Sequence, residues 1–180
     1  ASHSSRRIFT QRQVDGAIVF DSKIKSDLIT SLAARDFPII VLDRKLESEY
    51  VLSLLIDNCQ GVQEAFYHLY NQGARKIYFV SGAMDAFDNM ERMRVFFHEA
   101  YKNDLNIRCL NGNFTEQSGY DAAISIIRAN DLPEAVFCAN DQMAIGFIRA
   151  MKENNLCAPD DIAVVGLDDI IIPRYMRPTL

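Results

Sequence analysis

The feature that most limits what this chain can fold into is a regular exchange of two hydrophobic periods. Short apolar, β-branched runs, "VDGAIVF" (14–20), "PIIVLD" (38–43), "KIYFVSG" (76–82), "AVFCAN" (135–140) and "IAVVGLDD" (162–169), alternate with longer stretches whose apolar residues recur every three or four positions. The run "YVLSLLI" (50–56) and the short "IRCL" (107–110) read as further strands. Ile24, Leu28, Ile29, Leu32 and Ala33 form one helical stripe, with Asp21 and Ser22 as candidate caps before it. Asn58 is placed to cap a second helix with a buried face of Val62, Ala65, Phe66, Leu69 and Tyr70, and Gly73 is placed to stop it. Residues 89–103, 116–130 and 141–154 read as three more helices. Strands this apolar have no wet face, so the pattern predicts an α/β fold of parallel sheets covered by helices on both sides.

A sheet of this kind gathers ligands beyond the carboxyl ends of its strands. Polar residues collect at those ends: Asp43 closes "PIIVLD", Ser81 closes "KIYFVS", Asn140 and Asp141 close "AVFCAND", and Asp168 and Asp169 close "VVGLDD". Each could be an ordinary turn former or helix cap. Their recurrence on several strands points to a shared crevice.

Composition narrows the function classes. With 180 residues, 49% hydrophobic and 24% charged, the chain can build a sizeable core. A net charge of −5 argues against a phosphate-gripping face on this stretch. The cysteines, Cys59, Cys109, Cys138 and Cys157, show no CxxC spacing and read as thiols of a reducing compartment. With no membrane-length apolar run and no charged-then-apolar leader, the expected location is the cytoplasm. No dinucleotide fingerprint, phosphate loop or nucleophile elbow is present, and His68 and His98 have no metal-ligand spacing, so an enzyme is not expected, nor a metal or cofactor. Adjacent carboxylates at 168 and 169 on an extended strand end would point opposite ways and could not share a proton.

The segments "QVDGAIV", "PIIVLDR", "DNCQGVQEAFYHLYNQGARKIYFVSG", "FTEQSGYDAA", "ANDQMAIGFIRAMKENNL" and "PDDIAVVGLDD" follow one another in this order. Together with the ending "RPTL", they resemble the effector-binding core of the lactose-repressor and galactose-repressor family of bacterial transcription regulators. "ANDxxAxG" is shared with periplasmic sugar-binding proteins; its combination with "PDDIAVVGLDD" is what distinguishes the regulators.

The resemblance implies a two-lobed periplasmic-binding-protein-like fold with a ligand between the lobes. Residues 1–7 would be a lead-in, 8–56 part of the first lobe, 57–171 the second lobe and 172–180 a crossing back to the first. Further family elements would precede Ile8 and follow Leu180. The implied ligand contacts are Asp43, Arg92, Phe114, Asn140 and Asp168. Asn140 would face the ligand and Asp141 would cap its helix. Val95 stands where relatives carry a small residue three places after the arginine. The implied effector is a sugar or sugar derivative, although some relatives bind purines or nucleosides and some sense a phosphoprotein. The implied partners are operator DNA, through an N-terminal helix-turn-helix domain absent from this chain, and a second copy in a homodimer. A periplasmic sugar-binding protein of a transport system is the alternative of the same fold.

Overall fold

The computed structural model describes residues 14–20 and 24–170. The lead-in 1–7, the candidate caps Asp21 and Ser22 and the crossing segment 172–180 lie outside them. The chain divides into two compact units, one up to Asp57 and one from Asn58.

The first unit contains β1 (Ala17–Val19), α1 (Ser26–Leu32), β2 (Ile39–Leu42) and β3 (Val51–Leu54). Its strands run parallel in the order β1-β2-β3, with Ala17 opposite Ile39 and Ile39 opposite Val51. Period-two alternation then sorts the side chains. Val19, Ile39 and Val41 pack with Ile29 of α1, while Ile18, Leu52 and Leu54 project from the other side and are 60–70% exposed. Among the described residues, α1 covers one face of this sheet. Lys25, not a side-chain cap, precedes α1.

The second unit contains α2 (Asn58–Asn71), β4 (Ile77–Val80), α3 (Phe87–Lys102), β5 (Arg108–Leu110), α4 (Glu116–Arg128), β6 (Ala135–Cys138), α5 (Asp141–Glu153) and β7 (Ala163–Val165). The sheet order is β5-β4-β6-β7, again parallel, with Ile77 opposite Ala135 and Ala135 opposite Ala163. Every residue of β4 and β6 is buried, as a strand covered on both faces must be. On one face Phe79 and Phe137 stack with centroids 5.3 Å apart. Phe96 of α3 lies 4.8 Å from Phe137, and Phe66 of α2 lies 5.3 Å from Phe96. Alternation sends Tyr78, Val80 and Val136 to the opposite face, where α4 and α5 pack against each other. Gly73 ends α2 in the left-handed region at φ 98°, as its position in the sequence predicts.

At the amino-terminal edge of this sheet, Asp131 ties three elements together. It accepts from Lys76 Nζ and Tyr78 Oη at 2.6 Å each, and from Arg108. These donors, the Lys76 hydrogen bond foremost, lower its carboxyl pKa from 3.8 to about 2. A depressed carboxylate contributes stability that is complete above its unfolded pKa and is lost as pH falls through the folded one. Asp131→Asn is therefore expected to lower the melting temperature above about pH 4, and the difference from the parent is expected to vanish towards pH 2. A difference that persists unchanged at pH 2 would assign the contribution to neutral hydrogen bonding instead.

Candidate functional site

The carboxyl ends of β4, β6 and β7 meet the first turns of α2, α3 and α5. The side chain at the centre is Arg92. It lies two turns into α3 and would read as a solvated helix arginine from its own neighbourhood, yet it is 4% exposed. Burying a guanidinium requires acceptors in several directions, and the fold supplies them. Nε donates to Asn58 Oδ1 at 2.8 Å, one Nη donates to the Ala139 carbonyl, and the other donates to Asp168 Oδ1 at 2.9 Å. Asn58 in turn donates to Asp88 Oδ1 at 3.1 Å. One side chain thus joins the start of α2, the end of β6 and the loop after β7.

Asp168 sits at φ 120° and Asp169 at φ 51°. These are backbone conformations that non-glycine residues rarely adopt and that persist only where neighbours impose them. The strand ends at Val165, so the two carboxylates do not stand on an extended strand end as expected: the chain has already turned. Burial pushes the Asp168 carboxyl above its ordinary pKa, and Asp141 and Asp88 push the same way, against the pull of Arg92. Burial and like charge outweigh the ion pair. The Asp168 side chain is still 37% exposed, so its remaining acceptor capacity is open to a donor from outside the protein.

The capping role expected of Asp141 falls to Asn140. Asn140 is the N-cap of α5. Its Oδ1 accepts from Met143 N at 3.0 Å, and its Nδ2 donates to the Phe114 carbonyl at 3.1 Å. Asp141 is not the cap; its Oδ2 accepts from Ile170 N at 2.9 Å. The reason is backbone geometry: the residue with extended φ/ψ directs its side chain at the amides of the first turn, and that residue is Asn140. Phe114, at φ 68°, is half-buried, and its ring lies over Gly82 at the end of β4.

Four of the five expected contacts thus converge in the second unit. Arg92 meets Asp168, and Phe114 meets Asn140. The two pairs join because Arg92 holds the carbonyl next to Asn140. Asp43 closes β2 in the first unit, also at positive φ (53°), with its amide donating to Leu54 O at 3.0 Å. Sequence reasoning missed Asp88 and Asn89. Asp88 was legible, since it stands four residues before Arg92 on one helix face. Asn89, wholly buried, accepts from Gly82 N at 2.6 Å and so shapes the turn under Phe114; nothing in its sequence neighbourhood marks it. Among the described residues no cluster of histidine, cysteine, aspartate or glutamate could hold a metal ion, and no helix is long and apolar enough to cross a membrane.

Comparison with known proteins places this arrangement. The model of the periplasmic binding protein-like domain matches residues 66–180. The HTH-type transcriptional repressor PurR of Photobacterium profundum is 31% identical over 178 residues, covering 97% of this chain and 53% of that protein. A sugar-binding transcriptional regulator of the LacI family from Enterococcus faecalis superposes with a TM-score of 0.89 at 32% identity. That match covers 98% of this chain and 67% of that one. A LacI-family regulator from Enterococcus faecium, solved with bound ribose, superposes with a TM-score of 0.87 at 26% identity, over 99% and 68% of the two chains. The chain spans about half the length of the curated relatives it matches. By its matched domain, its parallel α/β architecture and its likeness to these regulators, the chain belongs to the periplasmic binding protein-like family, as an effector-binding domain of the LacI-family transcriptional regulators.

Proposed function

We propose that this chain is the sensor of a cytoplasmic, homodimeric repressor that takes a sugar or sugar derivative at its strand-end crevice and passes the binding signal to a separate DNA-binding domain. The observation that carries the reading is the Arg92–Asp168 pair. A buried guanidinium fixes one carboxylate oxygen at the mouth of three strand ends and leaves the rest of the carboxylate to accept hydroxyl protons. Phe114 adds an apolar ledge of the kind that covers the carbon face of a sugar ring. Ribose in the E. faecium regulator supports a sugar as the effector class. Asp43 is retained as a contact on the family resemblance alone. Its N-capping role leaves Asn140 to act by holding Phe114 in place, with any direct contact secondary.

An effector changes operator affinity only by the difference in its own affinity for the DNA-competent and DNA-incompetent states. The similar proteins named above are regulators, which favours this reading over a transport binding protein. The test is calorimetric titration of the full-length protein with neutral pentoses and hexoses, D-ribose first, followed by operator binding with and without the sugar that binds. A sugar that binds yet leaves operator affinity unchanged would overturn the sensor reading. Asp168→Ala is expected to weaken that sugar roughly 10- to 150-fold, the effect of losing a charged hydrogen bond of about 1.5–3 kcal/mol. Stability should fall by less than for removal of Arg92, because water can reach the partly exposed position and solvate the Arg92 Nη left without its carboxylate.

A further inference from the structure

The loop that presents Asp168 has no regular structure of its own, and its two central residues hold left-handed backbone. Something must impose that conformation, and a single residue touches the loop on both sides of the strained pair. The amide of Asp141 donates to Leu167 O at 2.9 Å, one residue before Asp168, and Asp141 Oδ2 accepts from Ile170 N at 2.9 Å, one residue after Asp169. The other carboxylate oxygen lies against Gly166, where a Cβ would collide with it; that Cβ would also sit 3.1 Å from Asp141 Cα and 3.2 Å from Ala144 Cβ. Asp141 is 5% exposed, and its carboxylate is not spent on capping α5, which Asn140 does.

We infer that Asp141 is a positioning residue for the effector site: it clamps the 167–170 loop in the strained form that delivers the Asp168 carboxylate to Arg92 and to the crevice. The assignment rests on the reading of Asp168 as an effector contact, but the clamp itself can be tested without an effector. The two carboxylates act in opposition. Asp141 holds the loop by hydrogen bonding while its charge lies close to that of Asp168, so the loop is held against electrostatic resistance and depends on the clamp for its shape. Gly166 belongs to the same device, because only a residue without a side chain leaves room for the Asp141 carboxylate beneath the strand end.

Hydrogen exchange on the full-length protein separates a clamp from a plain helix stabiliser. In Asp141→Ala, the amide of Ile170 is expected to exchange roughly 10-fold faster or more, since its acceptor is gone. The amides of α5 beyond its first turn should keep their protection. Asp141→Asn retains an oxygen at the same place and should restore most of the protection at Ile170. Gly166→Ala, which leaves every charge in place and presses chiefly on the Asp141 carboxylate and also on Asp141 Cα and Ala144 Cβ, should reproduce the loss of protection at Ile170. Unchanged exchange at Ile170 in Asp141→Ala, or a loss spread evenly along α5, would overturn the proposal. A parallel titration with D-ribose addresses the other reading: Asp141→Ala that frees the loop without weakening the sugar, while Asp168→Ala also leaves it unweakened, removes the effector site and spares the clamp.

Discussion

Replacing Arg92 with leucine is expected to destabilise the second unit by about 2–4 kcal/mol and to abolish measurable sugar binding. Breaking a fully buried ion pair by removing one partner costs about 3–5 kcal/mol, because the other charge is left without compensation. Here the figure is reduced, since Asp168 keeps 37% of its side chain in solvent and can recruit water. Against that reduction stand two neutral acceptors, Asn58 Oδ1 and the Ala139 carbonyl, which lose their donor in a place the leucine side chain fills with carbon. Arg92→Lys should recover little. A single ammonium cannot serve acceptors on α2, β6 and the loop after β7 at once, whereas the planar guanidinium does so with separate N–H groups. Urea unfolding of both variants checks this, and a loss below about 0.5 kcal/mol for Arg92→Leu would show that the network contributes nothing beyond what water supplies.

Phe96→Ala is expected to cost more in stability, about 3–5 kcal/mol, through the cavity it leaves. The ring is wholly buried and lies at 5.3 Å from Phe66, 5.3 Å from Phe79 and 4.8 Å from Phe137, so it joins α2, α3, β4 and β6 at one point. No single neighbour can collapse into the space without leaving its own contacts. The consequence reaches the site because Phe96 stands one turn after Arg92 on α3. Letting the helix settle towards the sheet shifts the guanidinium relative to Ala139 and Asp168. Phe96→Leu keeps most of the volume and should lose only about 0.5–1.5 kcal/mol of ring-on-ring interaction. Thermal unfolding of the two variants, with sugar affinity measured on Phe96→Leu, distinguishes a packing role from an indirect role in binding. A smaller loss for Phe96→Ala than for Phe96→Leu would mean that the site repacks and that the aromatic cluster is not what fixes α3.

The strands and helices were legible because each carries its own period. Every helix predicted for the second unit is present, with ends displaced by a few residues: 89–103 became Phe87–Lys102, and 141–154 became Asp141–Glu153. Burial followed as well, since Val62, Ala65, Phe66 and Leu69 do form the inner face of α2.

At the strand ends the sequence determined which residues are available, and the tertiary structure decided what each of them does. Polar side chains after apolar runs could be placed beyond the sheet from spacing alone, because a parallel strand buried on both faces cannot hold them within it. Spacing could not show that Arg92 is buried, since its burial depends on Asn58 and Asp168, which are 34 and 76 residues away along the chain. Nor could it assign the amide and the carboxylate of "AND". Both residue types cap helices, and the choice fell to the backbone angles at Asn140 and to the return of the chain through 167–170, which gave the Asp141 carboxylate an amide to hold. Local period is written residue by residue and survives reading in one dimension. The pairing of a charge with its acceptors is set by which strand ends the sheet order brings together, and that order exists only in the folded molecule.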